Sequence, residues 1–377
     1  MKRGVDLPAL GAALLIGAAI GWPLIAGETP LGWSDDPAML AAWAVAMAMA
    51  LWRLMRPRAS GWAMALATTL AVVVGAGATL AALSGAGAFG NAGLGLWLFV
   101  LGLGFLAWRA MALTANAPTP DPLRARAAML LTPAIFGLWL LYLWQVAVTG
   151  FGVPAVLLPA PSAIATVFAA SLGTLYADFI QTFVKAVLIG YVLGCASGFA
   201  VAVLVDRVPF LKRGLLPFGN LVSALPIVGI APIMVMWFGF DWPSKSAVVV
   251  VMTFFPMLVN TLAGLEATGR IERDLMRTYA AGYVETLIKV RLPNALPFVF
   301  NALKINSTLA LIGAIVAEFF GTPIVGMGFR ISTEVGRMNV DMVWATIFVA
   351  ALAGSAFYGG VALIERALTF WHPSYRQ

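Results

Sequence analysis

Cysteine and histidine are almost missing from this chain of 377 residues, which has one of each, Cys195 and His372. A single cysteine cannot form an intrachain disulfide, and a single histidine excludes His-rich metal sites. Charge is also scarce, because Asp, Glu, Lys and Arg make up 10% of the residues, whereas soluble domains carry about a quarter. This composition excludes a water-soluble globular protein, and it excludes a disordered chain, which needs high charge and low hydrophobicity.

Nucleotide-binding and hydrolytic motifs are missing too. None of the six lysines follows a glycine, so the chain has no Gly-x-x-x-x-Gly-Lys-Ser/Thr loop to cradle a phosphate. A Ser-His-Asp arrangement would depend on His372, which lies in the C-terminal tail. We therefore expect a chain that is not an enzyme and binds no cofactor or metal of its own. If it moves a solute uphill, the energy comes from an ion gradient or from another chain.

Apolar residues dominate what remains, at 62% of the chain with a mean hydropathy of +0.94. A membrane helix needs about 20 apolar residues to cross the hydrocarbon layer. Ten segments of this kind follow one another: 8–27, 38–55, 61–84, 93–113, 127–149, 182–205, 215–239, 246–264, 300–319 and 342–364. The predicted fold class is an all-α membrane protein with about ten transmembrane helices, the first of which is a retained signal anchor.

The basic residues predict which side each loop faces, because cytoplasmic loops are enriched in Lys and Arg. Lys2 and Arg3 place the N-terminus in the cytoplasm, and ten spans return the C-terminus there. The loop at 28–37, whose charged residues are all acidic, lies outside, and the loop at 265–299 lies inside. The excess of 23 basic over 16 acidic residues indicates loops that face anionic lipid rather than nucleic acid. The predicted location is the bacterial inner membrane.

A proline-rich stretch divides the chain. Residues 114–126 contain Pro118, Pro120 and Pro122 among polar neighbours, which is typical of a linker. Before it, residues 1–113 are predicted to form a four-span membrane extension whose small residues favour close helix packing. After it, residues 127–372 are predicted to form a six-span core.

The longest predicted cytoplasmic loop, 265–299, holds nine charged residues between Glu266 and Arg291. Within it, the stretch Tyr279–Arg291 repeats apolar residues at helical spacing, which predicts an amphipathic helix ended by Leu292 and Pro293. Such an apolar stripe binds either a groove in a partner or the bilayer surface. The mixed sign of its charges favours a protein partner. A helix that rests on its own membrane domain is the alternative.

This loop resembles the coupling loop of ABC importer permeases, which reads Glu-Ala-Ala, three residues, Gly, nine residues, an aliphatic residue, one further residue and Leu-Pro. Counted back from Leu292-Pro293, Val290 takes the aliphatic position, Ala280 the glycine position and Asp274 the glutamate position. Five further stretches resemble the nitrate/sulfonate/taurine-type branch of that family: 159–164, 225–240, 254–264, 296–305 and 317–329. The resemblance extends over about 127–372 and leaves the four N-terminal spans outside.

The resemblance implies a role for this loop, because the coupling helix of such permeases sits in a groove of a cytoplasmic ATPase subunit. The residues it assigns to ATPase coupling are Asp274, Ala280, Gly282, Tyr283, Leu287, Leu292 and Pro293. It also implies a homodimer in membrane lipid, a periplasmic or extracellular solute-binding protein, and ATP and Mg used by the ATPase subunits rather than by this chain.

Polar or helix-breaking residues inside the spans are candidates for the solute path, because such groups are costly at membrane depth. The candidates are Ser223, Pro226, Asn260, Ser307, Thr308 and Glu318. For the uncharged hydrogen-bonding side chains, bonding between helices is the alternative role.

The sequence is therefore interpreted as the transmembrane permease subunit of an ATP-driven importer. Its solute would be a small polar or anionic organic molecule of the sulfonate, nitrate, taurine, vitamin or pyrimidine-precursor type. Two alternatives stay open. A gradient-driven secondary transporter would need buried acid–base relays, of which the spans hold few. A non-transporting membrane scaffold would use the loop only to recruit a partner.

Overall fold

The computed structural model describes residues 6–27, 30–56, 61–85, 88–116, 122–208, 210–211, 214, 226–321 and 324–371, with residues 122–124 described by their backbone alone. The regular elements in these ranges are helices, so the predicted all-α class is confirmed. Among the residues singled out above, Lys2, Arg3, Pro118, Pro120, Ser223 and His372 lie outside the described ranges.

The helices are numbered here in chain order. They are α1 Leu7–Ala19, α2 Pro37–Met55, α3 Trp62–Leu83, α4 Leu94–Ala115, α5 Pro122–Gly150, α6 Pro161–Ala170, α7 Leu172–Arg207, α8 Ile227–Phe238, α9 Trp242–Glu266, α10 Arg270–Thr278, α11 Tyr283–Glu318, α12 Met327–Gly336 and α13 Val340–Leu368. A 3₁₀ turn, Trp33–Asp35, precedes α2, and π-helical segments lie within α7 (Ile180–Leu188) and α11 (Leu287–Arg291).

Eight helices in the described part of the chain are long and apolar enough to cross a membrane, and each overlaps a predicted span. They are α2, α3, α4, α5, α7, α9, α11 and α13. The other two predicted spans, 8–27 and 215–239, coincide with the shorter apolar helices α1 and α8, and residues 215–225 lie outside the described ranges. The total of ten spans remains a prediction.

The chain divides into two compact units, Met1–Ala163 and Ile164–Gln377. The stretch predicted as a linker, 114–126, falls inside the first unit, where α4 extends to Ala115 and α5 begins at Pro122. By its contacts, α5 belongs to the first unit. The division into an extension and a core remains a prediction.

In the first unit, small residues allow α1 and α4 to pack closely. A β-carbon on Gly102 would lie 2.5 Å from Cγ1 of Ile16, and one on Gly11 would lie 3.2 Å from the ring of Phe105. Such contacts between small residues and apolar side chains are the usual basis of helix association in lipid.

A buried charge cluster joins three helices of the first unit. Asp6 caps the N-terminus of α1 and accepts hydrogen bonds from Arg53 of α2 at 2.9 Å and from Arg109 of α4 at 2.7 Å. The Arg53 side chain is completely buried. Because the desolvation cost of a buried ion is offset only while the ion stays paired, this cluster fixes how α1, α2 and α4 meet.

In the second unit, α7, α9 and α11 form the core. Glycines 190, 194 and 198 follow at four-residue spacing on α7, and all three face α9. A β-carbon on Gly190 would lie 2.6 Å from Cβ of Val249, and one on Gly198 would lie 2.5 Å from the Phe254 carbonyl oxygen. The close approach of these backbones sets the positions of both ends of the core, where the polar residues described next are found.

Candidate functional site

The helix α10 carries an exposed apolar stripe on an otherwise charged segment. Ile271, Leu275 and Tyr279, the last being the C-terminal cap, follow at four-residue spacing and are each more than half exposed. Residues at this spacing share one face of a helix. Val284 and Ile288 at the start of α11 are also more than half exposed. We call Ile271, Leu275 and Tyr279 the docking stripe. Burial of large apolar side chains such as these in the groove of a partner yields about 1.5–3 kcal/mol each.

Asp274, which takes the glutamate position of the coupling motif, lies exposed on the same helix. Its carboxylate is 3.4 Å from Nη1 of Arg277, and both side chains are largely in solvent. Exposed pairs of this kind contribute little to stability. The Asp274 carboxylate is therefore accessible to a partner.

The turn after α10 explains why the coupling motif has glycine at the position that Ala280 takes in this chain. Ala281 donates its N–H to the Met276 carbonyl at 3.0 Å, and Ala280 donates to the Arg277 carbonyl at 2.9 Å. These are the two bonds of a Schellman C-cap, which places its C′ residue in the left-handed region. Ala280 occupies that position with φ of 54°. Gly282, with φ of −69° and ψ of 175°, is extended and caps the next helix.

Replacing Ala280 by glycine is expected to raise the stability of the protein by about 0.5 kcal/mol. The left-handed conformation costs a residue with a β-carbon roughly 1–2 kcal/mol, and the extra unfolded-state entropy of glycine offsets part of that gain. The measurement is the melting temperature of the detergent-solubilised protein. Gly282→Ala is the control, because an extended residue facing open space among its described neighbours accepts alanine. A lower melting temperature for Ala280→Gly would contradict the assigned turn.

The second helix of the predicted loop differs from the prediction. A helix over Tyr279–Arg291 that ends at Pro293 is wrong, because α11 begins at Tyr283 and continues past Pro293 without interruption. Proline has no N–H, and in a regular α-helix its ring would collide with the carbonyl of Lys289. The π-helical segment Leu287–Arg291 ends two residues before Pro293 and includes Lys289, and its wider turn accommodates the ring.

Three of the predicted coupling residues face the core of the unit rather than solvent. Tyr283, Leu287 and Leu292 pack with Val203 of α7 and Leu265 of α9. Leu287 is buried and the other two are half-buried. These side chains hold the start of α11 against the ends of α7 and α9.

A buried ion pair lies beside this apolar cluster. Arg291 donates to both carboxylate oxygens of Asp206, each at 2.7 Å, and the two side chains are 12% and 8% exposed. The same guanidinium donates to the Leu265 carbonyl at 3.1–3.2 Å. Tyr283 donates its hydroxyl to Asp206 at 2.8 Å, and the Arg207 guanidinium lies 5.6 Å from the centre of the Tyr283 ring. We call Asp206, Tyr283, Arg291 and the Leu265 carbonyl the helix latch.

Sequence reasoning missed the latch. It counted Arg291 only among the charges of the predicted loop, and it did not single out Asp206. The available signal was an acid at the end of one apolar segment and an arginine near the start of another, but 85 residues separate the two. Nothing in the local pattern predicts that they meet.

The opposite end of the core binds the N-terminus of α12. Three consecutive amides donate to three buried side chains: Gly326 to Asp178 (2.8 Å), Met327 to Thr182 (2.7 Å) and Gly328 to Glu318 (2.6 Å). Thr182 also donates its hydroxyl to Glu318 at 2.7 Å, and Asp178 pairs with Arg330 at 2.8 Å. The first amides of a helix have no partner within it and favour negative charge. We call Asp178, Thr182 and Glu318 the α12 clamp.

The predicted path residues fall in different surroundings. Glu318 is buried in the clamp, and Ser307 is buried and donates to the Lys304 carbonyl at 2.7 Å. Asn260 is half-buried and donates to the Pro256 carbonyl at 2.8 Å, whereas Thr308 and Pro226 are exposed. Ser223 lies outside the described residues. Helix–helix or within-helix bonding thus accounts for some of these groups, and their role in a path stays a prediction.

One buried polar group in the core was not anticipated. Asn306 of α11 donates to the Thr253 carbonyl of α9 at 2.8 Å and to the Cys195 sulfur of α7 at 3.2 Å. In the sequence, Asn306 is one of three adjacent polar residues in an apolar segment, and nothing there distinguishes it. This amide links all three core helices.

Comparisons with known proteins bear on the same part of the chain. Residues 186–370, from α7 to the end of α13, match the family described as binding-protein-dependent transport system inner membrane component. The formylaminopyrimidine transport permease protein ThiX of Halalkalibacterium halodurans is 30% identical over 246 residues, which are 65% of this chain and 98% of ThiX.

Two further relatives have similar coverage. The riboflavin transport system permease protein RibX of Chloroflexus aurantiacus is 31% identical over 237 residues, 62% of this chain and 88% of RibX. The putative aliphatic sulfonates transport permease protein SsuC of Bacillus subtilis is 29% identical over 249 residues, 65% of this chain and 88% of SsuC.

The family match and these relatives define the class of protein, which is a transport permease of the inner membrane. The chain belongs to the family of binding-protein-dependent transport system inner membrane components, the permeases of ABC importers. The predicted family, the predicted permease function and the prediction that the chain is not itself an enzyme are confirmed. It is a multi-pass inner-membrane protein whose transport depends on an ATPase and a solute-binding protein.

Proposed function

We propose that the docking stripe of α10 is the surface on which the ATPase subunit sits, and that closure of the ATPases on ATP drives import through the second unit. The observation that carries this proposal is the exposure of three large apolar side chains on a helix of mixed charge. Helices that bind the bilayer surface carry a basic polar face. On α10, Glu272 and Asp274 alternate with arginines, which favours a groove in a protein.

The proposed assembly is a homodimer in the bacterial inner membrane, with two ATPase subunits inside and a solute-binding protein outside. Each chain would have ten spans and both termini in the cytoplasm, with the docking stripe on the cytoplasmic side. The distribution of basic residues supports this sidedness. The short helices α1 and α8, extended by neighbouring apolar residues, would supply the two spans beyond the eight long helices.

We further propose that residues 1–113 are a four-span extension, 114–126 a linker and 127–372 the permease core. Support for the core comes from the family match over 186–370 and from relatives that align with about two-thirds of the chain. Within this core, Asp274, Ala280 and Gly282 would shape the docking segment, which is α10 with the turn that follows it, residues 270–282. Tyr283, Leu287, Leu292 and Pro293 would join it to the transmembrane helices.

The proposed solute is a small polar or anionic organic molecule. This rests on the relatives, whose names specify formylaminopyrimidine, riboflavin, aliphatic sulfonates and taurine. The proposed path residues are Ser223, Pro226, Asn260, Ser307, Thr308 and Glu318. Among these path residues, Thr308 and Asn260 have the best support, because their side chains are at least partly exposed on the core helices α11 and α9.

Removing the apolar character of the docking stripe is expected to detach the ATPase. In the double variant Ile271→Asp with Leu275→Asp, two side chains lose about 1.5–3 kcal/mol each of burial energy, so affinity should fall at least about 100-fold. The measurement is the amount of ATPase that co-purifies with the tagged protein in detergent, together with ATP-dependent uptake of taurine, ethanesulfonate, riboflavin and a formylaminopyrimidine into proteoliposomes.

Met338→Asp is the matched control, because Met338 is a similarly exposed apolar residue beyond α12. It should leave ATPase recovery unchanged. Full recovery of the ATPase with the double variant would refute docking on α10. Absence of uptake of every solute in the panel by the wild-type complex would refute the solute class.

A further inference from the structure

The helix latch occupies the place where movement of α10 must enter the membrane core. The helix α10 is joined to α9 by residues 267–269 and to α11 by residues 279–282. On the α9 side the chain arrives next to Leu265, and on the α11 side it arrives at Tyr283. Both residues are hydrogen-bonded into the latch, the first through its carbonyl to Arg291 and the second through its hydroxyl to Asp206.

We propose that Asp206 and Arg291 are positioning residues that make the docking segment and the core helix α7 move as one body during the ATPase cycle. This inference rests on the proposed docking of the ATPase on α10. It adds the element that carries displacement from the docking helix to the transmembrane helices.

The geometry of the pair fits this role. The planar fork of Arg291 binds both oxygens of Asp206, so the contact fixes orientation as well as distance. Both side chains are nearly buried, and separating them would leave an uncompensated charge away from water. The latch therefore resists sliding of α11 along α7. A single guanidinium on α11 binds a side chain of α7 and a main-chain carbonyl of α9.

Two other contacts between described residues of this region provide a weaker constraint. The neighbouring pair Glu285–Lys289 is 3.9 Å long, largely exposed and confined to α11. The apolar packing of Leu287 and Leu292 is non-directional. If α11 slid along α7 while keeping its apolar contacts, the Asp206–Arg291 pair would still break. This pair therefore determines whether α7 moves together with the start of α11.

Neutralising the latch is expected to uncouple hydrolysis from transport without detaching the ATPase. Asp206→Asn should reduce the amount of solute imported per ATP hydrolysed by about tenfold. Arg291→Lys, which keeps the charge but loses the fork, should have an intermediate effect. Tyr283→Phe removes one hydrogen bond and should have the smallest effect. The assay uses proteoliposomes and whichever of taurine, ethanesulfonate, riboflavin or a formylaminopyrimidine the wild-type complex imports.

A cross-link provides a rescue that a merely structural role would not predict. In a Cys195→Ala background, Asp206→Cys with Arg291→Cys should be uncoupled, and a short bifunctional thiol reagent should restore import per ATP. Glu365→Gln is the matched control, because it breaks another buried pair of α11, with Lys304 at 2.7 Å, that joins α13 instead of α7. It should lower stability and leave import per ATP unchanged.

Two results would overturn the inference. One is an unchanged ratio of import to hydrolysis in Asp206→Asn and Arg291→Lys with the ATPase bound. The other is loss of the ATPase from all latch variants, Tyr283→Phe included, since the latch would then build the docking surface. Retention of the ATPase by the docking-stripe double variant would instead refute the proposed function, so the two failures are distinguishable.

Discussion

Replacing Gly328 by alanine is expected to destabilise the second unit by about 3 kcal/mol. A β-carbon at this position would overlap the Ile315 carbonyl oxygen and lie 2.9 Å from Cβ of Glu318. Neither neighbour can move away, because the carbonyl belongs to the backbone of α11 and both Glu318 oxygens are hydrogen-bonded in the clamp. The measurements are the melting temperature in detergent and the rate of proteolysis near α12.

The same substitution at the other end of α12 is the control. Gly336 is the last residue of that helix, and a β-carbon there would meet open space among the described residues. Gly336→Ala should be neutral or stabilising by up to about 1 kcal/mol, because alanine loses less entropy in a helix than glycine does. Equal melting temperatures for the two variants would contradict the close approach of α12 to α11.

Asp6→Asn is expected to destabilise the first unit by about 3–4 kcal/mol. The asparagine still caps α1, but it no longer neutralises the buried guanidinium of Arg53 or the half-buried one of Arg109. Breaking a buried ion pair at one partner costs this much because the other charge stays buried. Thermal unfolding of the purified protein measures the effect.

Asp36 offers a matched control within the same unit. Its carboxylate caps α2 by accepting hydrogen bonds from the amides of Ala38 and Met39. Asparagine caps helices about as well as aspartate, so Asp36→Asn should change stability by less than about 0.5 kcal/mol. A similar loss in both variants would mean that capping, and not the guanidinium partners, accounts for the effect at Asp6.

The pH dependence of the Asp6 effect has a definite sign. Burial raises the pKa of Asp6, but the hydrogen bonds from Arg53 and Arg109 outweigh burial and leave this pKa below its ordinary value of 3.8. A carboxyl group with a lowered pKa stabilises the folded state fully above its unfolded pKa and loses that contribution as the pH falls through the folded pKa. The difference in melting temperature between wild type and Asp6→Asn should therefore be constant near neutral pH and shrink in acid.

Apolar runs predicted most of the helices well, because in lipid the length of a span is set by bilayer thickness rather than by distant contacts. The ends of α11 were harder. Leu292-Pro293 indicates a helix end under ordinary rules, but a π-helical turn before Pro293 lets the helix continue. A local exception of this kind depends on packing that a single sequence does not reveal.

The location of the docking stripe illustrates the same limit. The loop was correctly recognised as charged and amphipathic, but the stripe was expected within Tyr279–Arg291. The structure places the most exposed apolar face on Ile271, Leu275 and Tyr279, and it packs Leu287 inward. The spacing of Ile271 and Leu275 was readable, but the charges around them made the segment look merely polar. Which face of a short helix is covered depends on residues far away in the chain.

The unbroken course of α11 has a mechanical consequence. Its 36 residues form a rod roughly 54 Å long at 1.5 Å per residue, with Arg291 near one end and Glu318 at the other. A tilt of about 10° around one end would shift the other by roughly 9 Å, because displacement grows with lever length. A small rotation imposed beside the docking segment is thus magnified at the far side, where Glu318 accepts a hydrogen bond from the Gly328 amide in the first turn of α12.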